Sequence, residues 1–338
     1  MRRQMFFEKM RSDVEEWLYG LGIECDVVID HSVKQNDVKL TGLRLAGERI
    51  NLSPLVYLDG AYEAFVHGAP YEELLHRVVD TFQIEASTRE MNTGFLQDFE
   101  TVKEGLFIRV SDSKSNREWL QDKVYHEDGD LAYSYHCRVD VLPDMYTTLP
   151  VTPTLLEVWG VTAEEVRGIA ENNLRKEPVV FHQIYDVIMS MASKLEPDNL
   201  YEIPQIDLSH HLDSLYMLKT ESDFYGARVL MRDDVMEEIG RRFGENYYIL
   251  PSSQHEVILL PISCELESDI LENMVKEINQ MEVEPGDRLS DTLFFYDREG
   301  QRIMAAKDYY AEKQGISKDE AEKQEAPKKE RHRDEAER

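Results

Sequence analysis

The chain has 338 residues, of which 42% are apolar, so it is long enough for one large or two medium domains with a buried core. It carries 67 acidic and 38 basic side chains, which gives a formal net charge of −29. Residues 311–338 hold nine of the acidic and eight of the basic side chains, so nearly all of the net charge belongs to residues 1–310. Such a surface repels nucleic-acid phosphates and anionic membranes, and we expect neither as a direct partner.

The cysteines and the chain start predict a soluble, cytoplasmic protein. Cys25, Cys137 and Cys264 are odd in number, far apart and without a Cys-x-x-Cys pair. That pattern is typical of reduced thiols and not of a disulfide framework or a zinc site. No segment approaches the roughly 18 apolar residues of a membrane helix. The opening MRRQMFFEKMRSD lacks the apolar region of a signal peptide.

Residues 1–90 predict an N-terminal α+β subdomain. Apolar residues at helical spacing and short alternating runs predict a helix, three strands and two further helices. In chain order these are Arg3–Tyr19, Cys25–Asp30, Val38–Leu45, Ile50–Leu58, Ala61–Val66 and a helix that Pro70 opens. Within the second strand the alternation shifts across Gly42, which predicts a β-bulge there.

Residues 91–308 predict a main α+β domain. Its first half is expected to hold two strands, three helices and an irregular loop. These are Leu106–Val110, Leu131–Leu142, a short helix around Asn116–Leu120, a helix from Thr162, a helix over Pro178–Ser193 and a loop over Glu196–His211. Thr162 and Glu165 have the spacing of a capping box, which marks a helix start.

The second half of this domain has the most regular pattern. The predicted strands are Tyr216–Thr220, Ala227–Met231, Tyr247–Leu250, Val257–Leu260, Thr292–Tyr296 and Arg302–Ala305, and the predicted helices run from Asp234 to Gly244 and over Leu266–Met281. Asp234 and Glu237 predict a second capping box. The middle strands, at 247–250 and 257–260, are apolar on both faces. A short connection joins them, so we expect an antiparallel pair in the centre of a covered sheet.

Together these elements predict an α+β fold with mixed, mainly antiparallel sheets and packed helices, because strands adjoin helices without a regular βαβ alternation. Residues 309–338 are rich in charge and lack an apolar stripe. They predict a charged tail that is helical or disordered.

Ser252, Ser253, His255 and Glu256 are the first candidate site, at the tip of the predicted hairpin. A catalytic serine needs a base within hydrogen-bonding distance, which suggests Ser253 as nucleophile and His255 as base. In an extended chain these two share a face and Glu256 points away. The alternative is structural: Pro251 and the serines form the turn, and His255 hydrogen-bonds to backbone groups at the strand start.

His126, Asp128 and Asp130 are the second candidate site, because alternate polar residues resemble part of a calcium loop. The twelve-residue pattern of such a loop is missing, and a polar turn around Gly129 explains the same residues. His136 and Cys137 are neighbours on a predicted strand and face opposite sides, and His210 and His211 lack a second pair at metal spacing. Nucleotide-binding glycine motifs are also missing from the sequence, so no cofactor is expected.

Several segments together resemble a bacterial family known as domain of unknown function 5688. The resemblance is carried by NLSPLVYLDGAYEAFVHGAPYEELLHRVV, by LFIRVSDSKSNREWL and by YGARVLMRDDVMEEIGRRFGENYYILPSSQHEVILLP. It implies a shared α+β fold in a bacterial cytosolic setting and brings no activity, ligand or catalytic residue. In the PSS-x-HE turn this chain has Gln254 where the family pattern leads us to expect an apolar residue, which predicts a turn that faces solvent.

The leading functional hypothesis is a non-enzymatic protein that acts by binding another protein. An acidic surface without a cofactor motif or a complete metal or triad set favours this class. One alternative is a hydrolase-like enzyme that uses Ser253 and His255. Another is a DNA mimic, whose carboxylates occupy the DNA groove of a partner protein.

Overall fold

The computed structural model describes residues 1–47, 53, 55–86, 94–142, 145–185, 214–222, 225–251 and 253–315. Within these residues every strand pairing is antiparallel, in sheets of three, four and six strands with helices packed beside them. The predicted α+β fold is confirmed. Among the same residues, no helix has both the length and the apolar character needed to cross a membrane.

The N-terminal part builds a core of its own. Its elements are α1 Arg3–Gly20, β1 Asp26–Lys34, β2 Val38–Ala46, β3 Val56–Tyr57, α2 Asp59–Val66 and α3 Tyr71–Ala86. One stripe of α1 (Phe6, Met10, Val14 and Leu18) is fully buried against the sheet and α3. The core cluster draws its members from residues 6–82. The division into domains at residue 90 stays a prediction.

The predicted bulge at Gly42 is wrong. β1 and β2 pair in unbroken register through this position, where Gly42 lies opposite Asp30. A Cβ atom at Gly42 would lie 2.8 Å from the carbonyl oxygen of Val56. The glycine is therefore explained by the close approach of β3 and not by an irregular strand.

The middle part is organised around one long strand. Its elements are α4 Phe99–Val102, β4 Leu106–Asp112, α5 Arg117–Leu120, β5 Tyr125–Asp128, β6 Leu131–Leu142, β7 Met145–Pro150, α6 Pro153–Trp159 and α7 Ala163–Lys176. β6 pairs with β4 on one side and with β5 and β7 on the other. The capping box at α7 is confirmed, since Thr162 and Glu165 exchange hydrogen bonds between side chain and backbone.

The predicted helix over Pro178–Ser193 is wrong in its described part, which is the strand β8 Val179–Gln183. Pro178 holds Glu177 in an extended conformation, so α7 ends at Lys176. Valines and an aromatic residue then suit the edge of a sheet, where β8 pairs with β9 Tyr216–Thr220. Residues 186–213, which include the predicted loop, His210 and His211, lie outside the described residues.

The segment Gly226–Met231 is a 3-10 helix and not the predicted strand. Its buried apolar run does not distinguish a strand from a tight helical turn. Helix α8, Asp233–Phe243, follows, and its first turn is also different from the prediction. Arg232 and not Asp234 occupies the cap position, its side chain makes no capping hydrogen bond, and Asp234 pairs with Arg232 at 2.7 Å. Gly244 ends α8 in the left-handed conformation, as predicted.

The remaining elements complete a six-stranded sheet: β10 Tyr247–Leu250, β11 Val257–Pro261, α9 Ser268–Met281, β12 Phe294–Asp297, β13 Arg302–Ala305 and α10 Ala306–Gln314. The strand order is β13-β12-β10-β11-β9-β8, so the predicted antiparallel pair β10–β11 is central. One face packs on the middle part and the other on α9 and α10. Helix α10 runs through the predicted boundary at 308/309, and the Tyr309 ring stacks on Phe295 at 4.1 Å.

The tip of the β1–β2 hairpin joins all three parts of the fold. Asn36 and Asp37 both have positive φ angles, 62° and 52°. The Asn36 side chain donates hydrogen bonds to the carbonyl oxygens of Pro285 and Arg288, each at 2.8 Å. Asp37 accepts hydrogen bonds from the first backbone N–H groups of α5. These long-range bonds hold two residues in a conformation that L-amino acids disfavour.

We predict that Gly42→Ala lowers the free energy of unfolding by about 1–3 kcal/mol, because the new methyl group overlaps the Val56 carbonyl. Denaturant unfolding measures the change. The control is Gly60→Ala in α2, where no atom lies within 4 Å of the added Cβ, and which should be neutral or stabilising. Equal effects of the two substitutions would contradict the assigned contact.

Candidate functional site

The Ser253 hydroxyl takes part in a turn and does not donate to His255. Its single proton is donated to the Glu256 carboxylate, with 2.7 Å between the oxygens. The same oxygen accepts hydrogen bonds from the backbone N–H groups of His255 and Glu256. The chain bends between Ser253 and Glu256, so the extended geometry assumed from the sequence does not apply. Ser252 lies outside the described residues.

The His255 ring faces a different partner. Its Nδ1 accepts a hydrogen bond from the backbone N–H of Tyr225 at 3.3 Å, which places the proton of the neutral ring on Nε2. Nε2 lies 3.7 Å from the Asp287 carboxylate. The ring also stacks near the Tyr225 ring, with 6.0 Å between centroids. This geometry brings Ser253 together with Glu256, and His255 together with Tyr225 and Asp287.

Gln254 is buried, with 4% of its surface exposed, so the prediction of a solvent-facing turn is wrong. Its Oε1 accepts a hydrogen bond from Arg109 at 2.8 Å, and its Nε2 donates to Asp287 at 2.5 Å. Its backbone N–H donates a hydrogen bond to the carbonyl oxygen of Asp287, and its carbonyl oxygen accepts one from the N–H of Ala227. A half-buried cation needs acceptors that an apolar side chain at this position does not supply, which explains the polar residue.

Arg109 on β4 is the centre of the site. Its guanidinium lies over the ring of Trp119 at 5.0 Å and over the ring of Tyr225 at 4.1 Å. Nη2 donates to the side-chain oxygens of Gln35 and Gln254, both at 2.8 Å. Nε has no acceptor among the described residues. Burial lowers the pKa of Arg109, and the group remains a cation because its usual value is so high.

Within the described part of the chain, Gln35 carries the second hydrogen-bond donor without an acceptor, after Nε of Arg109. Gln35 directly follows β1, with 2% of its surface exposed, and its Oε1 accepts the hydrogen bond from Arg109. That bond fixes which end of the amide faces the guanidinium. Its Nε2 is then left buried without a partner among the described residues. Two adjacent side chains thus both present hydrogen-bond donors without acceptors.

These side chains line one open cleft of about 950 Å³, which we call the Arg109 cleft. Gln35, Arg109, Trp119, His136, Tyr225 and Gln254 line it, together with the acidic residues Glu284 and Asp287. The lining comes from the β1–β2 hairpin, the middle sheet and the loops of the C-terminal part. The volume falls at the upper end of the range of small-molecule pockets.

Tyr225 adopts the left-handed conformation, with φ of 56°, which is uncommon for a bulky residue. Gly226 follows it, and a Cβ atom there would lie 2.3 Å from the carbonyl oxygen of His255. The close contact of these two segments and the stacking of Phe107 on Tyr225, at 5.7 Å, place the tyrosine ring over Arg109. Such outliers concentrate at functional sites, which makes the cleft the strongest candidate.

His136 forms part of the cleft wall below Trp119, with 2% of its surface exposed. Its ring stacks on the indole at 5.9 Å, and its Nε2 lies 2.9 Å from the Ser134 hydroxyl. Burial, with added repulsion from Arg109 and Lys123, holds the pKa of His136 well below its usual range. His136 is therefore neutral near pH 7, and Arg109 is its charged neighbour.

The three metal candidates make separate contacts. His126 Nδ1 lies 2.8 Å from the Tyr135 hydroxyl, and Asp130 pairs with Lys114 at 3.1 Å. Asp128 pairs with Leu131 across the turn that Gly129 forms. Within the described part of the chain, no group of three or more histidine, cysteine, aspartate or glutamate side chains has an arrangement that holds a metal ion.

A comparison with protein-family models confirms the family resemblance that the sequence segments indicated. A model of the family of unknown function DUF5688 matches residues 3–298, which include the Arg109 cleft and the PSS-x-HE turn. The chain belongs to this family. No curated protein and no solved structure matches it.

Arg109, Gln35 and Trp119 are candidate residues that the sequence did not reveal. They come from segments far apart in the chain, and each sits in an ordinary local pattern. The strand pattern itself gave no signal, because Arg109 lies on the face opposite the buried Ile108 and Val110, where a charged residue is ordinary.

We predict that Ser253→Ala lowers the free energy of unfolding by about 1–3 kcal/mol, because two backbone donors and the Glu256 carboxylate lose their shared partner. Urea unfolding measures the loss. The matched control is Ser263→Ala, at an exposed serine, which should change nothing measurable. An unchanged stability of Ser253→Ala would contradict the structural role of the hydroxyl.

We also predict that His136 makes stability depend on pH. An unfolded histidine titrates near about 6.5, so below that pH the unfolded chain binds a proton that the folded chain does not. The contribution is complete above this value and is lost as pH falls toward the lower pKa of the folded state. Between pH 7 and 5.5, the wild type should lose stability more steeply than His136→Gln, by up to about 1.4 kcal/mol per pH unit. Equal slopes in urea titrations would refute a neutral, buried His136.

Proposed function

We propose that this protein is a non-enzymatic binding protein and that its ligand presents an anionic acceptor to Arg109. One observation carries the proposal: Arg109 lies between two aromatic rings on an open cleft, beside a buried amide whose donor has no partner among the described residues. Charge-assisted hydrogen bonds from arginine to a carboxylate or phosphate are among the strongest in proteins.

The energetics support a ligand here. A buried donor without an acceptor costs roughly 1–3 kcal/mol, and Gln35 and Arg109 each have one. Both nitrogens are closed to solvent, so a ligand that supplies an acceptor relieves this cost when the side chains shift to meet it. The rings of Trp119 and Tyr225 hold the guanidinium in place, so little side-chain freedom is lost on binding.

The contacts of the turn support binding over hydrolysis. A serine nucleophile needs its hydroxyl directed at a base, and the Ser253 hydroxyl is directed at Glu256, which lies in the same turn. The DNA-mimic alternative has no specific contact in its favour among the described residues. We also propose a cytosolic location, which the free thiols of Cys25, Cys137 and Cys264 support.

The test uses simple acids and an isosteric variant. We predict that acetate, benzoate or inorganic phosphate raises the melting temperature of the parent protein with increasing concentration, as binding to the folded state requires. Gln35→Glu should abolish this response, because its carboxylate pairs with Arg109 and replaces the unused amide donor. The same change should leave the urea midpoint equal or higher.

The matched control is Gln121→Glu, which adds the same charge at an exposed position of the same cleft. It should keep the response to the acids. Arg109→Gln should lose the response, and Arg167→Gln, which removes a surface arginine paired with Glu171, should retain it. If Gln35→Glu responds to each acid as the parent does, the proposed site is wrong.

A further inference from the structure

The lining of the Arg109 cleft also carries negative charge. Glu284 and Asp287 belong to this lining, and Glu284 is exposed. Within the described residues, neither carboxylate has a lysine or arginine nitrogen within ion-pair distance, and Asp287 has His255 at 3.7 Å. Many other carboxylates of the protein are paired with nearby cations, such as Asp122 with Lys123 at 2.6 Å. Glu284 therefore offers negative charge that a ligand can use, and Asp287, which already accepts a hydrogen bond from Gln254, adds to it.

Hydrogen bonds hold Asp287 at a fixed distance from Arg109. Arg109 donates to Gln254, and Gln254 donates to Asp287, so one amide joins the two charges. The turn that carries Asp287 is held in turn by Asn36, which donates to two of its carbonyl oxygens. Cation and carboxylate thus occupy fixed positions on opposite sides of Gln254.

Arg109 supplies a single positive charge, and the two lysines of the lining have contacts of their own. His136 is neutral, Lys123 pairs with Asp122 and lies over the ring of Trp119, and Lys34 lies over the ring of Tyr57 at 5.0 Å. One guanidinium suits a carboxylate better than a dianionic phosphate, which proteins usually bind with several donors. The carboxylates of Glu284 and Asp287 further disfavour a ligand whose charges are all negative.

We propose that the ligand is the free C-terminus of a peptide chain with a basic side chain close to it. The terminal carboxylate binds Arg109, and the basic side chain lies against Glu284 and Asp287. The inference rests on the proposed function and names its ligand class. A cleft of about 950 Å³ has room for several residues, more than a single amino acid needs. The net charge of −29 also attracts basic chains.

The experiment measures the fluorescence anisotropy of four labelled pentapeptides mixed with the full chain. The first, Gly-Gly-Ala-Lys-Ala, has a free carboxylate, and the second is the same peptide as its C-terminal amide. The third and fourth replace the lysine by alanine or by glutamate and keep the free carboxylate. We expect the first to bind at least about tenfold more tightly than each of the others.

Two variants test the contribution of the acidic residues and that of Arg109 separately. Glu284→Gln with Asp287→Asn should remove the advantage of lysine over alanine and keep the preference for a free carboxylate, since Asn still accepts from Gln254. Gln35→Glu should remove the preference for the carboxylate, and Gln121→Glu should behave as the parent.

The outcomes distinguish this inference from the proposed function. Equal binding of the lysine and alanine peptides through Arg109 overturns the inference and leaves the proposed function standing. So does a response to acetate or benzoate without binding of any peptide. If free lysine displaces the peptide at a concentration equal to that of the peptide, the ligand is a free amino acid and not the C-terminus of a peptide chain. That result overturns the inference. If no probe distinguishes Gln35→Glu from the parent, both proposals fail.

Discussion

The partial burial of one cation, Arg109, organises the part of the molecule where the three parts of the fold meet. A guanidinium that is largely removed from water needs acceptors, and the two that it finds lie 74 residues before it and 145 residues after it in the chain. Gln35 belongs to the N-terminal hairpin, and Gln254 belongs to the turn between β10 and β11. The requirement for these oxygens thus couples the N-terminal and C-terminal parts through the middle sheet.

The backbone strain around the site has the same origin. Asn36, Asp37 and Tyr225 all have positive φ angles, at a cost of order 1 kcal/mol or more each. In return, Asn36 and Asp37 dock the hairpin that carries Gln35, and Tyr225 places its ring on the guanidinium. Strain of this kind persists where surrounding contacts determine a geometry more strongly than local preference does. Here those contacts converge on a cleft open to solvent.

Local patterns in the sequence predicted the elements that depend on local physics. The strand Leu131–Leu142, the capping box at Thr162 and the hairpin β10–β11 agree with the structure, because alternation, cap chemistry and a short connection act within a few residues. The predictions failed where a distant contact decides. Val179–Gln183 is a strand because β9 lies beside it, and Gly42 is a glycine because Val56 approaches it.

The site illustrates the same limit. The sequence drew attention to Ser253, His255 and Glu256, which are neighbours along the chain and chemically conspicuous. The structure directs Ser253 to Glu256 within the turn and buries Gln254, the residue that the sequence predicted to face solvent. The conspicuous residues on either side bend the chain, and that bend turns the glutamine inward to a cation on another sheet. Ser253, His255 and Glu256 therefore form the bend that orients Gln254. The importance of Gln254 becomes visible only through its contact with Arg109, which lies far away in the sequence.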